Sequence, residues 1–472
     1  MARVDLYYPP FKNEFENKHY PVNPPLGLMY LAAVLREAGH TPRIFDLRLY
    51  PKPRGLLEKI WSEQKPDVIG VSSVTHMARY AYNLVAYCKE RLPDVPLIMG
   101  GPHVTAYNKD VLRDSHTDVG VRYEGEPVIV PLVESLAKGK LDTSLPNLIY
   151  RKGDDIVMND NTQLVEDLNT LPFPAWEFAD IGAYSKRQSM ALLPDRRYAT
   201  VISSRGCPYR CSYCHNIFGK TVRFLDARSF VDHLERLYYE HDIRHFEIVD
   251  DIFNVNKERV FEICDDIRRR GMEPYIAFPN ALRSDLLDKE VIDALYGAGT
   301  RLICFAIESA SPRIQKLVKK NLNIERAREA IEYANSKGIL SCGFFMLGFP
   351  TETEEELRMT TGFALKSDLH FAFFFIVTPY RGTELGEKYI PKNAEDYTLY
   401  NYDYGVANIA SVPFHVIEKI RREAIAGFYS NPKRILRLFQ LYPMLHKMPV
   451  TAGRAVFRQL RRQLVYLKIF PS

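Results

Sequence analysis

Strand-like and helix-like patterns alternate along most of this 472-residue chain, with one interruption around residues 146–198. Short apolar runs rich in Val, Ile and Phe are followed by amphipathic stretches, which is the rhythm of repeated strand–helix units. Because parallel strands need a crossover connection, usually a helix, this alternation predicts an α/β fold with parallel sheets. Hydrophobic residues make up 46% of the chain, enough for large cores. We therefore expect domains at residues 1–145 and 199–390, joined by a linker at 146–198.

The first 145 residues predict a doubly wound, Rossmann-like sheet. Predicted strands lie at 4–8, 41–45, 67–73 and 95–99, and predicted helices at 26–38, 56–64 and 78–92. Residues 199–390 continue the alternation and predict a partial (β/α)6 barrel, with strands at 201–203, 245–250, 275–278, 301–307, 341–347 and 371–377. The five intervening helices are expected at 227–240, 257–270, 289–297, 324–337 and 354–367. In both folds ligands bind at the carboxyl ends of the strands.

Three cysteines lie within eight residues, directly after the strand-like run 199–204. Cys207, Cys211 and Cys214 form a CxxxCxxC motif. Three thiolates at this spacing can bind three irons of a 4Fe-4S cluster and leave the fourth iron open for a small molecule. A disulfide framework is not expected in a chain of this length with seven cysteines and no signal-peptide pattern. A zinc site would need a fourth ligand, and His215 lies too close to Cys214 to serve easily.

The remaining cysteines, Cys88, Cys264, Cys304 and Cys342, are scattered through apolar or helical contexts. Buried free thiols are the usual interpretation of such cysteines.

Taken together, these motifs resemble the cobalamin-binding radical SAM family, in which a cobalamin-binding domain precedes the barrel. Besides the three cysteines, the resemblance is based on motifs that occur here in the order Asn23-Pro-Pro-Leu-Gly27, Val71-Ser-Ser-Val-Thr75, Gly100-Gly-Pro-His103, Glu124-Gly-Glu126, Leu171-Pro-Phe-Pro174 and Gly348-Phe-Pro-Thr-Glu352. It implies three cofactors: a 4Fe-4S cluster held by Cys207, Cys211 and Cys214, S-adenosylmethionine, and cobalamin.

The resemblance also implies which residues contact cobalamin. Glycines let the backbone approach the corrin, and hydroxyl groups can donate hydrogen bonds to its periphery. The implied contacts are Ser72, Ser73, Thr75, Gly100, Gly101, His103, Glu124, Gly125 and Glu126. The DxHxxG loop that supplies a histidine ligand to cobalt in many cobalamin enzymes is absent, since the nearest candidate, Asp46-Leu-Arg-Leu-Tyr50, has no histidine at that place. Cobalt is thus expected to have no protein ligand or a weak one from His76, for which an ordinary loop role is favoured.

Four further residues are implied contacts of S-adenosylmethionine. Tyr213 would pack on adenine, and Glu308 would accept from the ribose hydroxyls. Asp250 would contact the ammonium group. Because the family's Gly-Gly-Glu is absent, this assignment rests only on the position of Asp250 at the end of a strand, and helix capping by the neighbouring Asp251 is an equal alternative. Arg283 would pair with the methionine carboxylate, with an ion pair to Asp285 as the alternative.

The implied activity is reductive cleavage of S-adenosylmethionine, followed by methylation of an unactivated carbon of a small-molecule substrate. One alternative is radical cyclisation, oxidation or rearrangement, as in the related anaerobic protoporphyrin ester cyclase. A second is a binding protein that senses cobalamin or redox state. The aromatic run 371–375 favours a lipid or tetrapyrrole substrate, although core packing explains it equally.

The expected partners follow from this chemistry and from charge. The cluster needs an external one-electron donor of the flavodoxin or ferredoxin type. Residues 391–472 predict a basic, mainly helical region, in which 416–472 hold twelve Lys or Arg against two Glu. The amphipathic stretch 454–467 suits either an anionic membrane surface or, as we favour, a helix packed on the barrel. We expect a cytoplasmic protein, with membrane association as the second option, and no nucleic-acid partner because no basic platform with interleaved aromatic residues is present.

Overall fold

The computed structural model describes residues 1–10, 21–187, 189–191, 197–390, 400 and 407–441, without the side chains of 439–441. These residues form two compact units. Unit 1 comprises the described residues of 1–189 together with 215–225, and unit 2 comprises those of 190–214 and 226–441. Each unit is built on a mainly parallel sheet, as the strand–helix alternation predicts.

The sheet of unit 1 has seven strands in the order β2-β1-β3-β4-β5-β6-β7. The strands are β1 (Arg3–Tyr8), β2 (Thr41–Asp46), β3 (Val68–Ser72), β4 (Leu97–Gly100), β5 (Val119–Val121), β6 (Leu148–Lys152) and β7 (Asp155–Met158). The first five are parallel, and β6 and β7 are antiparallel. The helices are α1 (Leu26–Glu37), α2 (Pro53–Glu63), α3 (Ala78–Arg91), α4 (Pro102–Tyr107), α5 (Lys109–Asp114), α6 (Ile129–Ala137) and α7 (Ile181–Ser185).

Helices cover both faces of this sheet, which explains why its central strands are apolar throughout. On one face Tyr7, Val71 and Met99 pack with α3 and α2. On the other, Leu6 and Ile98 pack with α1 and α6. The doubly wound arrangement is therefore confirmed, and it directs the carboxyl ends of β1, β2, β3 and β4 to one edge.

The predicted boundary after residue 145 and the predicted linker 146–198 need correction. β6 and β7 lie inside that range and extend the sheet, with Ile149 paired to Gly120 and Tyr150 to Val157. Unit 1 continues through Trp176, which is 2% exposed, to residue 189. These edge strands have four or five residues each and several charged positions, so their periodicity is too short to distinguish them from a connector.

The sheet of unit 2 has six parallel strands in the order β8-β11-β12-β13-β14-β15, an open barrel. The strands are β8 (Tyr198–Val201), β11 (His245–Ile248), β12 (Tyr275–Leu282), β13 (Thr300–Glu308), β14 (Leu340–Leu347) and β15 (Phe371–Ile376). Two further short strands, β9 (Ser204–Arg205) and β10 (Arg223–Phe224), flank the cysteines in the sequence. The helices of unit 2 are α8 (Ala227–Glu240), α9 (Lys257–Arg269), α10 (Lys289–Gly297), α11 (Pro312–Leu317), α12 (Ile324–Ser336), α13 (Glu354–Lys366), α14 (Glu384–Tyr389), α15 (Phe414–Tyr429) and α16 (Pro432–Leu441).

Local capping fixes where the barrel helices begin. Asn256 and Asn323 accept hydrogen bonds from the first turns of α9 and α12. Thr353 and Glu356 form a capping box at the start of α13. Such signals explain why the predicted and observed bounds of these helices agree within one residue at each end.

The inner face of the barrel is covered at the amino ends of its strands. Ala191 and Leu438, the latter from α16, pack against Ala277, Leu302 and Leu340, which lie at the starts of β12, β13 and β14. The interior is therefore closed by side chains at this end.

Arg434 fastens α16 to the barrel and is itself fully buried. Its guanidinium donates to the carbonyl oxygens of Leu369 (2.8 Å), Phe428 (2.7 Å), Ser367 (2.9 Å) and Leu365 (3.3 Å). One cation thus satisfies four backbone acceptors.

The amphipathic stretch 454–467 lies outside the described residues, so its membrane and packing interpretations both stay predictions. Within the described ranges, no helix has the length and apolar character needed to cross a membrane.

Candidate active site

The three motif cysteines lie in the loop that follows β9. Gly206, just before Cys207, has φ of 93°, a conformation suited to glycine, and its N–H donates to the carboxylate of Asp251 at 3.2 Å. The loop is fixed further along by Ser212, whose N–H donates to Val318 O and whose carbonyl accepts from Leu385 N. Cys207 and Cys211 are partly exposed and Cys214 is exposed, and all three are free thiols.

Among the described residues, no three His, Cys, Asp or Glu side chains converge as the ligands of one metal ion would. In a 4Fe-4S cluster each thiolate binds a different iron, and the role of these three thiols as cluster ligands stays a prediction. The other four cysteines are buried. Burial raises the pKa of Cys88 and of Cys264 to about 12, which keeps those thiols protonated.

Tyr213 lies within the motif and packs against Phe349, with ring centroids 5.6 Å apart. Burial raises the pKa of Tyr213 well above its usual value, and the Glu308 carboxylate adds to the shift. Phe349 belongs to the turn after β14. The structure therefore brings together Tyr213, Glu308 and the Gly348–Glu352 turn, and the roles implied for Tyr213 and Glu308 stay predictions.

Glu308 ends β13 in a left-handed conformation, with φ of 64°. A non-glycine residue in this region is uncommon and often marks a functional position. Its buried carboxylate forms an ion pair with Lys320 at 3.2 Å. Gln315 holds the strand end by donating to Ile307 O and Ser309 O. Lys320 is a candidate site residue that the sequence patterns missed, because no motif connects it to Glu308.

Arg283 forms the ion pair with Asp285 that was its alternative interpretation, at 2.9 Å. The guanidinium also lies over the ring of Tyr209, 3.7 Å from its centroid, and donates to Lys320 O. Arg283 is thus next to the cysteine loop, but its charge is already paired. Its contact with a methionine carboxylate stays a prediction.

Asp250 is 3% exposed, and its carboxylate accepts from Ser203 N (2.7 Å), Ser203 Oγ (2.6 Å) and Ser204 Oγ (2.6 Å). Burial raises the pKa of Asp250, and these hydrogen bonds oppose the shift. The arrangement supports the chain just before the cysteines, and the ammonium contact stays a prediction. Helix capping by Asp251 is wrong, because Asn256 caps α9 and Asp251 binds Gly206 N.

In unit 1 a cavity of about 240 Å³ lies at the carboxyl ends of the strands. Its lining includes Ser72, Arg48, Tyr8 and residues 23–28. A side chain at Gly27 would meet no atom within 4 Å. The Ser72 hydroxyl and the exposed Gly27 thus lie beside this cavity, and its role in cobalamin binding stays a prediction.

Arg48 occupies the place where a DxHxxG loop would carry its histidine. It pairs with Asp46 at 2.6 Å, donates to Asn23 O at 2.7 Å and lies 3.9 Å from the centroid of the Tyr8 ring. His76, the alternative cobalt ligand, is exposed in the 3-10 helix Thr75–Met77. Sequence motifs alone did not point to Arg48 as a lining residue.

The Ser73, Gly101 and His103 motifs interlock in the core of unit 1. A Cβ at Gly101, whose φ is 99°, would lie 2.7 Å from Ser73 O, so only glycine fits. Gly100 O accepts from Ser73 N, and Ser73 O accepts from His103 N. His103 is fully buried, with its ring nitrogens 2.7 Å from Tyr82 Oη and 3.4 Å from Thr75 Oγ1. These contacts account for the motifs by packing, and direct corrin contact stays a prediction.

The Glu124–Glu126 motif follows β5. The Glu124 carboxylate is buried and paired with Arg223 at 2.8 Å. A Cβ at Gly125 would lie 3.0 Å from the Leu31 side chain, so a larger residue there would have to displace it. Glu126 is partly buried.

Glu352 gives a testable pH dependence. It is 0% exposed, its Oε2 accepts from Gly348 N (2.7 Å) and Phe349 N (2.9 Å), and its Oε1 has no partner among the described residues. Burial raises the pKa of Glu352 to about 7. Because the unfolded carboxyl ionises at lower pH than the folded one, ionisation lowers stability as pH rises from about 4.5 to 7. We expect Glu352→Gln to remove this loss. Between pH 4.5 and pH 8, the free energy of unfolding of the variant should therefore rise by about 3 kcal/mol relative to that of wild type.

The measurement is the free energy of unfolding of both proteins across this pH range under anaerobic conditions. Glu356→Gln is the matched control, since the pKa of Glu356 is lowered to about 2 by Arg313. That variant should lose stability at neutral pH. Parallel pH profiles for wild type and Glu352→Gln would contradict the prediction.

Comparison with known proteins agrees with this arrangement. A family model of the B12 binding domain matches residues 18–133, and one of the radical SAM superfamily matches residues 201–364. The uncharacterized methyltransferase PH0819 of Pyrococcus horikoshii is 30% identical over 466 residues, which cover 97% of this chain and 99% of the relative. Cytidylyl-2-hydroxyethylphosphonate methyltransferase of Streptomyces wedmorensis is 27% identical over 82% of each chain. Anaerobic magnesium-protoporphyrin IX monomethyl ester cyclase of Rubrivivax gelatinosus is 26% identical over 80% of this chain and 69% of its own.

Solved structures show the same fold. The radical S-adenosylmethionine methyltransferase TsrM from Kitasatospora setae superposes with a TM-score of 0.68 at 19% identity, covering 81% of this chain and 75% of TsrM. The cobalamin-dependent S-adenosylmethionine radical enzyme OxsB gives a TM-score of 0.66 at 18% identity, covering 87% of this chain and 58% of OxsB. This chain belongs to the cobalamin-binding radical SAM enzymes, whose cofactors are a 4Fe-4S cluster, S-adenosylmethionine and cobalamin.

Proposed function

We propose that this enzyme methylates an unactivated carbon of an apolar small molecule. The observation that supports this most directly is a wall of three aromatic rings inside the barrel, Phe344, Phe373 and Phe375. The same barrel carries the cysteine loop that would hold the radical-generating cluster. When bound, the cluster and S-adenosylmethionine supply a carbon-centred radical chemistry, and cobalamin supplies a methyl carrier.

Residues around the cysteine loop would bind S-adenosylmethionine. Tyr213 and Phe349 offer an aromatic surface for adenine, and Glu308 offers carboxylate oxygens for ribose hydroxyls. Lys320 pairs with Glu308, and its ammonium is a second candidate partner for the methionine carboxylate beside Arg283. Cys207, Cys211 and Cys214 would hold the cluster.

Residues at the carboxyl edge of unit 1 would hold cobalamin. Ser72 and Arg48 line the cavity there, and Gly27 leaves room for a bulky ring. With Arg48 in place of a histidine, we expect no strong imidazole ligand to cobalt.

The substrate wall is formed by one face of β14 and β15. Phe371, Phe373 and Phe375 are partly exposed, whereas the alternate residues of β15 are buried. Phe374 stacks on Phe345 at 5.3 Å, and Phe345 meets Phe363 of α13, so this face points to the helices. Phe373 and Phe375 therefore face the interior, their rings 8° from parallel and 6.1 Å apart. Phe344 meets both rings edge-on, at 6.0 and 5.7 Å.

Such a wall favours an apolar or planar substrate. The rings of Phe344, Phe373 and Phe375 bring no charge and no hydrogen-bonding group. They can bury hydrocarbon at about 25 cal/mol per Å² and stack on a flat π-system. A lipid or a tetrapyrrole meets these conditions.

We predict that replacing the wall separates substrate binding from stability. The double variant Phe373→Ala/Phe375→Ala should raise the KM for the substrate at least about tenfold, because each ring contributes on the order of 1 kcal/mol or more of contact. Its loss of stability per ring should be smaller than in Phe374→Ala, since both rings are only partly buried. Phe374→Ala is the matched control on the same strand, where a buried ring is lost and about 3 kcal/mol of stability with it. An unchanged KM in the double variant would mean that these rings do not contact the substrate.

The test of the proposed function is anaerobic reconstitution with iron, sulfide, cobalamin and a one-electron donor of the flavodoxin or ferredoxin type. S-Adenosylmethionine labelled in its methyl group is then added with extracts or candidate lipids and tetrapyrroles. We expect 5′-deoxyadenosine together with a product that contains the labelled methyl group, detected by mass spectrometry. Formation of 5′-deoxyadenosine with an unlabelled product would instead favour the cyclase or rearrangement alternative, which the magnesium-protoporphyrin cyclase relatives support. Absence of cleavage would favour a sensing protein.

A further inference from the structure

A buried ion pair in unit 1 joins segments that lie far apart in the sequence. Arg223 binds both oxygens of Glu124, with Nη1–Oε2 and Nη2–Oε1 distances of 2.8 and 3.0 Å. The exposed fractions of the two side chains are 10% and 1%. Val165 N also donates to Glu124 Oε2, at 2.5 Å. The carboxylate is thus surrounded by donors.

The same arginine gathers two backbone segments. Its guanidinium donates to Val165 O and, at 2.9 Å, to Phe218 O. Phe218 and Arg223 belong to the stretch 215–225, which is part of unit 1 and starts at the residue after Cys214. In this stretch the regular structure is limited to the two residues of β10. The Glu124–Arg223 pair attaches it to the rest of unit 1 through a buried side chain.

The physical consequence follows from burial. A bidentate arginine–carboxylate pair has a defined geometry, and removing one partner leaves an uncompensated buried charge. The remaining charged side chain would then need to be hydrated, which would favour opening of the stretch 215–225. Cys214 is joined to this stretch by a peptide bond, so loosening of the stretch would free the backbone on the carboxyl side of Cys214.

We propose that Glu124 is a positioning residue of the cysteine loop, which acts through Arg223, and is not a contact of cobalamin. This inference rests on the cluster role of Cys214 given above, but not on methyl transfer or on the substrate. Glu124 and Arg223 together limit the motion of 215–225, and thereby hold Cys214 in one arrangement.

The experiment compares Glu124→Gln and Arg223→Met with wild type as reconstituted holoenzymes. Hydrogen exchange measured by mass spectrometry should be at least about tenfold faster in 215–225 and unchanged in α3, because only the local attachment is lost. The electron paramagnetic resonance signal of the reduced cluster should shift or broaden, and iron should be lost faster to a chelator. The Kd for hydroxocobalamin should stay within about twofold.

Lys89→Met is the matched control. It removes a different ion pair of unit 1, Lys89–Asp118, at 2.6 Å. This variant should leave the exchange of 215–225 and the cluster signal unchanged. The conservative Arg223→Lys should restore part of the protection, which a general loss of folding would not show.

Two results would overturn the proposal. One is weaker cobalamin binding in Glu124→Gln with normal exchange in 215–225, which would make Glu124 a corrin contact. The other is an unchanged cluster signal despite fast exchange. Should Glu124→Gln fail to fold, Glu124→Asp provides the same comparison with the charge retained and the bidentate geometry lost. None of these readouts requires turnover, so failure of the proposed methylation would be recognised separately.

Discussion

Alanine at Cys207, Cys211 or Cys214 is expected to abolish both cluster binding and cleavage of S-adenosylmethionine. Wild type reconstituted without oxygen should hold about four irons per chain, and each variant close to none. Loss of one thiolate leaves a second iron of the cube without a protein ligand, in a loop whose thiols are solvent-accessible. The measurements are iron and sulfide content, the visible absorbance of the cluster, and 5′-deoxyadenosine formation with dithionite as reductant.

Cys264→Ala is the control for this series. Its thiol lies buried in α9, 2% exposed, and has no role in the proposed site. This variant should keep its iron and its activity. A stable, full cluster in any of the three loop variants would contradict the assignment of the ligands.

The largest expected loss of stability comes from Arg434→Met. Methionine can fill much of the volume but donates no hydrogen bond, so the carbonyls of Leu369, Phe428 and Ser367 lose a buried donor. Leaving several buried acceptors unsatisfied costs about 1–3 kcal/mol each, reduced where water can enter. We expect unit 2 to lose about 3–5 kcal/mol of unfolding free energy. Denaturant unfolding followed by circular dichroism measures this change.

Arg437→Met is the matched control three residues further along the same helix. Its guanidinium is one-third exposed and pairs with Asp368, which is half exposed. Surface pairs of this kind contribute about 1 kcal/mol or less. A loss in Arg434→Met no larger than in Arg437→Met would mean that the buried hydrogen bonds are replaced by water.

The sequence was most informative where local signals and tertiary packing coincide. The predicted bounds of α8 and α10 match the observed Ala227–Glu240 and Lys289–Gly297. Each has a strong apolar stripe, and α10 also has a capping side chain, Asp288. Most residues of β13 and β14 are buried, and their long apolar runs identified these strands.

Other features depend on contacts between distant residues. β6 and β7 are strands because β5 offers them a pairing edge, which their own short sequences do not reveal. The first barrel strand was placed at 201–203 but is Tyr198–Val201, because Ser203 turns away to bind Asp250.

The candidate site shows the same division. The cysteine motif was recognisable from its spacing alone. The family resemblance that it supports then implied roles for Tyr213 and Glu308. Lys320 and Arg48 have no motif of their own, and their relevance appears only when Glu308 and the cavity lining are seen beside them. For His103 and Glu124 the sequence motif predicts contact with the corrin. In the structure His103 bonds Tyr82 and Glu124 pairs with Arg223, so packing and pairing account for both side chains.

The closure of the barrel at Ala191 and Leu438 has a consequence for traffic through the enzyme. Under the proposed function, a compound held against Phe373 would meet these side chains at the amino ends of the strands and could not leave past them. Product departure and the arrival of the next molecule would then both take place away from this end. For bulky compounds this exchange would limit turnover, whatever the speed of the chemical step.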